Sequence, residues 1–269
     1  MPSPPPSLLA ALLPLPALFV GMGALWFFQQ KKSDAGIVDV GWSAGIGLLT
    51  LYYAAISPAW LPRRLLVAAL GGLWSFRLAG YLLRDRIGKE AEDARYRNLR
   101  KHWGDSAQFN FFWFFQVQAL LILLFGLPIR IAMNHPASAF RLWDGLGLLV
   151  WILAVGGESL ADRQLAAFRA RPENKGGVCD TGLWRYSRHP NYFFEWVHWF
   201  AYVLIAIGSP AWPWTLLGPL LMFFFLYKVT GIPYTEAQSL RSRGDAYRRY
   251  QQRTSAFFPW FPKRTETSP

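Results

Sequence analysis

Apolar residues in this 269-residue chain are gathered into long blocks, and that clustering restricts the fold more than any other feature. Crossing about 30 Å of hydrocarbon takes roughly 20 mainly apolar residues in a helix. Seven blocks meet or approach that length: 7–28, 37–59, 65–83, 111–133, 144–161, 193–209 and 211–233. The expected fold class is therefore all-α, a polytopic membrane protein with seven transmembrane helices in a single membrane domain. Pro14 and Pro16 lie inside the first block and predict a kink there. Only Ser209-Pro210 separates the sixth block from the seventh, which predicts a tight turn.

Only 16% of residues are charged, yet the formal net charge is +12. Charge that sparse excludes a disordered tail and an ordinary soluble enzyme, which carries about a quarter charged residues. The single cysteine, Cys179, excludes an internal disulfide, a Cys-based zinc site and a redox pair. Four histidines leave little material for a metal centre, and none is expected. No basic residue precedes the first block, which argues against a cleaved signal peptide. With the N-terminus outside, seven spans leave 22 of the 28 Lys and Arg residues on one side. That asymmetry is what the positive-inside rule demands, so the C-terminus is expected in the cytoplasm.

Topological bias does not require two arginine-rich segments as patterned as 84–103 and 162–191. The first carries Arg84, Arg95 and Arg97; the second carries Arg169 and the run Tyr186-Ser187-Arg188-His189-Pro190-Asn191. Guanidiniums grip phosphate in bidentate fashion, and the interleaved Tyr, Trp and Asn offer stacking and hydrogen-bonding surfaces. The combination suits a phosphate-bearing nucleotide or an anionic lipid headgroup. Nucleic acid fits poorly, since these loops lie against a bilayer. Carboxylates within spans are costly and usually functional. Asp39 opens the second block, Glu158 and Asp162 share a helical face at the end of the fifth, and Glu195 begins the sixth. Gly21-Met22-Gly23 and Gly45-Ile46-Gly47 lie inside apolar helices and read as helix-packing glycines, not as a dinucleotide fingerprint.

Three blocks in order carry a family resemblance. They are Glu158-Ser-Leu-Ala-Asp162-Arg-Gln-Leu-Ala-Ala-Phe168-Arg169, then Gly182-Leu-Trp-Arg-Tyr186-Ser-Arg188-His-Pro-Asn191-Tyr-Phe-Phe-Glu195-Trp, and Gly244-Asp-Ala-Tyr247-Arg-Arg-Tyr250-Gln-Gln-Arg253-Thr-Ser-Ala-Phe257-Phe-Pro-Trp260. Together they resemble the membrane steroid 5α-reductase family, in its bacterial branch. The resemblance implies a seven-helix enzyme that binds NADPH and reduces the carbon–carbon double bond of a 3-oxo-Δ4-steroid or similar lipid enone. Residues 1–143 would chiefly build the substrate pocket and 144–269 the cofactor site. The implied cofactor residues are Glu158, Asp162, Arg169, Tyr186, Arg188, Asn191, Glu195, Tyr247 and Arg253, with Arg84, Arg95 and Arg97 added for phosphate on their chemistry.

The substrate side departs from the animal members. Trp74 stands at their tyrosine position and Asp39 falls near their glutamate position, with Trp42 and Trp74 expected in the pocket. Asp39 is then the expected catalytic residue, stabilising the enolate oxygen by donating a hydrogen bond from a carboxyl whose pKa burial raises. The substrate would enter sideways from the bilayer, with membrane lipids as neighbours and no obligate protein partner. The expected setting is a bacterial inner membrane with the cofactor site facing the cytoplasm. Two alternatives stay open. Membrane isoprenylcysteine and phospholipid methyltransferases share the Arg-His-Pro-Asn-Tyr core, with S-adenosylmethionine as cofactor. A non-catalytic sterol or lipid binder is the other.

Overall fold

Where apolar side chains run unbroken the backbone has only itself to bond to, and the computed structural model is helical throughout those runs. It describes residues 8–86 and 92–263. Residues 87–91 of the first arginine-rich segment and Arg264 of the tail lie outside the described residues. Ten α-helices follow in order: α1 Leu8–Leu12, α2 Leu15–Lys32, α3 Ile37–Ile56, α4 Leu61–Arg86, α5 Ala94–Trp103, α6 Ala107–Met133, α7 Leu142–Arg169, α8 Pro190–Ala206, α9 Leu217–Phe224 and α10 Ile232–Arg253. No strand occurs among the described residues; Ser187 and Ser255 form one isolated bridge.

The chain is a multi-pass membrane protein. Six stretches among the described residues are long and apolar enough to span a bilayer: Leu9–Lys32, Ile37–Ile56, Leu61–Arg84, Ala94–Met133, Leu142–Arg169 and Trp212–Arg253. The expected sixth span, at 193–209, corresponds to α8, whose 17 residues extend only about 25 Å at 1.5 Å per residue. The first block is broken where its prolines require, α1 ending at Leu12 and α2 starting at Leu15. The last block is not one uniform helix. It comprises a 3-10 turn (Trp212–Leu216), α9 and a π-helical turn (Phe225–Val229) before α10, which itself breaks at Gly244 with φ 52° and ψ −125°.

Two compact units emerge. The first holds residues 1–144 and 205–218, the second 145–204 and 219–269. In the first unit α3 packs on α4 and α6. Close approach explains why glycine stands at Gly45, where a Cβ would lie 2.5 Å from Ile122. A Cβ on Gly21 would meet nothing within 4 Å, so helix packing accounts for the Gly45-Ile46-Gly47 pair and not for Gly21. Trp74, Phe111, Phe115 and Phe125 fill this core. Arg63, which topology counts as a loop cation, is wholly buried. Its fork grips Asp144 at 3.1 and 2.7 Å and also donates to the carbonyls of Ala137 and Ala139, organising the α6–α7 connection.

In the second unit the tail folds back along the 186–188 segment. Arg188 N–H donates to Ser255 O (2.8 Å), Trp260 N–H to Tyr186 O (2.9 Å) and Ser187 Oγ to Phe257 O (2.9 Å). Phe193, Trp196, Phe223 and Phe257 pack edge to face around that return.

Candidate functional site

The first unit gathers its chemistry at the start of α3. Asp39 lies in the first turn, where the helix dipole favours a carboxylate. Asp93 caps α5 by accepting the Arg95 backbone N–H at 2.8 Å, which holds Arg95 and Tyr96 in the first turn of that helix. Arg95 Nη2 then donates to Asp39 Oδ2 at 2.8 Å, and the Tyr96 hydroxyl donates to Oδ1 at 2.6 Å. Tyr96 is buried, and Arg95 also reaches Asp93 at 3.3 Å. A guanidinium can only donate, so Asp39 is used as an acceptor. Asp39, expected as a hydrogen-bond donor, accepts from both Arg95 and Tyr96 in this structure.

Trp42 follows Asp39 by three residues and so shares its face. It meets Trp74 and Phe125 edge-on, at centroid distances of 6.4 and 5.3 Å. Trp74 is fully buried. Arg84 and Arg97 are exposed, whereas Arg95 is engaged with two carboxylates. A neighbouring network ties Glu92 to Arg100 (2.8 Å) and to the Ala35 N–H (2.9 Å), fastening α5 to the α2–α3 connection.

The second unit is organised by a residue that sequence reasoning missed. Glu236 is the sole carboxylate between Ile232 and Gly244 in an otherwise basic, tyrosine-bearing helix, and that isolation is the signal that was there to be read. Its Oε1 accepts from Arg188 Nε at 2.6 Å and lies 3.3 Å from His189 Nε2 and 3.5 Å from the Tyr247 hydroxyl. Its Oε2 accepts from Gln251 at 2.7 Å. Arg188 completes its fan on the carbonyls of Gln251 (3.0 Å) and Thr254 (2.6 Å). His189 is deeply buried, and burial holds its pKa below the ordinary histidine value although Glu236 pulls it the other way.

The remaining expected residues all lie in the second unit. Asn191 donates to Asp162 at 3.1 Å, joining α8 to α7. Glu158 and Glu195 are buried, and Arg169 is exposed at the end of α7. Tyr186 is partly exposed and rests edge-on to Phe261 at 6.0 Å. Arg253 pairs with Asp180 and borders a cleft of about 570 Å³. Arg188 and Tyr247, expected at the cofactor, share Glu236. Among the described residues no cluster of His, Cys, Asp and Glu is arranged for a metal ion.

Residues 25–254 match the family described as a protein of unknown function, DUF1295. The chain belongs to the DUF1295 family. That family is related in general to the steroid 5α-reductase-like superfamily. The chain is similar to an uncharacterized protein of Schizosaccharomyces pombe, 31% identical over an alignment 269 positions long, with 90% of this chain and 77% of the relative covered. No solved structure matches it.

Proposed function

We propose that this DUF1295 protein is a membrane reductase that uses NADPH to saturate the carbon–carbon double bond of a lipophilic enone, of the 3-oxo-Δ4-steroid type. The observation that carries the reading is the buried Tyr96 hydroxyl held on Asp39 at 2.6 Å among apolar helices. That hydroxyl has one proton, which would turn from Asp39 to a carbonyl oxygen that gains negative charge. The enone would lie against Trp42 and Trp74, having entered from the bilayer. Arg95 and the Tyr96 hydroxyl both donate to Asp39, so that the carboxylate orients Tyr96. When bound, the cofactor supplies a hydride to the β-carbon. Tyr96 stabilises the enolate oxygen, and the α-carbon then takes a proton from water.

The donor set of the second unit supports a cofactor rich in phosphate. Arg253 stands beside two further cations, Arg185 and Lys263, at one cleft. Asp162 and Asn191 form a polar pair that suits an amide-bearing ring. With α8 as a seventh crossing, the cation-rich loops and the C-terminus would face the cytoplasm, since seven spans put 22 of 28 basic residues on one side.

Oxidation of NADPH, followed in the presence of a panel of 3-oxo-Δ4-steroids and shorter enones, tests the reading. Tyr96→Phe should lower kcat by about 10²–10³, the effect of losing one oxyanion donor, with NADPH affinity unchanged. Saturable binding of S-adenosylmethionine with none of NADPH would sink the reductase and favour a methyltransferase.

A further inference from the structure

The cleft that Arg253 borders has more chemistry than one arginine. It is formed where the segment before α8 meets the returning tail, and its walls carry Arg185, Arg253 and Lys263 against a single carboxylate, Asp180. Asp180 is paired with Arg253 and holds that guanidinium at the wall. Thr181 and Thr254 add hydroxyls that donate to or accept from an oxyanion. Lys263 N–H bonds Arg253 O at 2.8 Å, so the end of the tail is fixed against the end of α10. Two of the three cations thus sit on backbone that is already tied down.

A second groove of about 220 Å³ shares Thr181 and Gly182 with this cleft and is lined by Gln164, Phe168 and Arg171. Gln164 Oε1 accepts the Leu183 N–H at 2.9 Å, which fixes the amide at the partition between the two. The larger space is cationic; the smaller one offers an aromatic face and one more guanidinium. A free inorganic anion would need only the first.

We infer that the paired cleft binds an organic phosphate, with the phosphate between Arg185, Arg253 and Lys263 and the organic part running past Thr181 toward Phe168. Phosphate oxygens match guanidinium forks, and three cations against one carboxylate leave the cleft short of negative charge. The ligand is either a soluble nucleotide or the phosphodiester of an anionic membrane lipid. The nucleotide form rests on the reductase reading; the lipid form does not. Exposed Trp260 and Phe261, 72% and 76% accessible beside Lys263, are residues a membrane interface would receive.

The test uses the full chain in neutral detergent, titrated separately with NADPH and with short-chain phosphatidylglycerol, and with short-chain phosphatidylcholine as the charge control. Arg185→Ala combined with Lys263→Ala removes two exposed cations and leaves the Arg253–Asp180 pair in place. Each lost charge-assisted contact should weaken binding about tenfold. Weakening by tenfold or more toward NADPH, toward phosphatidylglycerol or toward both supports the cleft and identifies the source. Binding of phosphatidylglycerol that the double variant loses, with no NADPH binding in the parent protein, supports the cleft and fails the cofactor reading. Affinities within twofold of the parent for both ligands, a parent that binds neither, or equal binding of phosphatidylcholine overturns it. Unchanged protection of buried Cys179 from alkylation shows that the double variant is folded.

Discussion

Replacing Glu236 with glutamine should loosen the second unit even though the new side chain has the same shape. Glu236 and Arg188 are 15% and 10% exposed, so their 2.6 Å contact is little screened by solvent. Neutralising the carboxylate removes a charge-assisted bond and turns an NH₂ toward the Gln251 amide, which donates to Oε2 at present. Arg188 keeps the carbonyls of Gln251 and Thr254, so its charge is not stranded. The expected loss is therefore at the lower end for a broken buried pair, about 3 kcal/mol. For a chain of this size that corresponds to a fall in Tm of roughly 6–12 °C. Cys179 supplies the assay: it is buried, burial pushes its thiol pKa up, and it lies in the same unit. A thiol-reactive dye should label it only as the unit opens. Asp245→Asn, which breaks the exposed Arg248 pair at 69% and 76% accessibility, should leave the labelling temperature unmoved. A labelling temperature for Glu236→Gln within about 2 °C of the parent, less than the shift expected for 1 kcal/mol, would refute the assignment of Glu236 as the hub.

Acidification should destabilise the fold. Burial lowers the pKa of His189 and of His135, so the unfolded chain takes up protons first as pH drops below about 6.5. Stability is full above that pH and is lost below it, by up to about 1.4 kcal/mol per pH unit for each histidine; His189→Gln should flatten the slope in a pH series of melts. Arg63→Lys keeps the charge but loses the fork that reaches Asp144 and two carbonyls, and should cost about 2–3 kcal/mol in thermal melts of the detergent-solubilised protein. Gly45→Val should cost about 1–3 kcal/mol by overpacking Ile122, while Gly21→Val, with nothing within 4 Å, should be tolerated in the same melts.

Helix positions were legible in the sequence where hydropathy was uniform, because a chain in hydrocarbon can satisfy its backbone only within the segment. Legibility fell where the chain leaves that regime. The π-turn at Phe225–Val229 and the break at Gly244 interrupt segments whose composition alone reads as continuous. Helix α5 lies in a stretch dominated by cations, and its start is set by the Asp93 cap rather than by an apolar face.

The candidate residues divided in the same way. Sequence marked Asp39 as costly and therefore informative, and it lies in a polar cluster. Its role could not be read, since a carboxylate's chemistry depends on who faces it. Arg95 suits phosphate by sequence as an arginine in a loop, while the fold places its guanidinium 2.8 Å from Asp39. Glu236 carried no motif and became the centre of a network.

What the sequence determined by itself was the solvent each segment occupies and hence its helical state, because burial in hydrocarbon is a property of composition over some 20 residues. Partnership was decided only in three dimensions. Asp39 and Arg95 are 56 residues apart, and Arg188 and Glu236 are 48 apart. Charge pairing acts over a few ångströms and is indifferent to sequence distance, so only the folded chain selects which cation each carboxylate holds and which cations remain for a ligand.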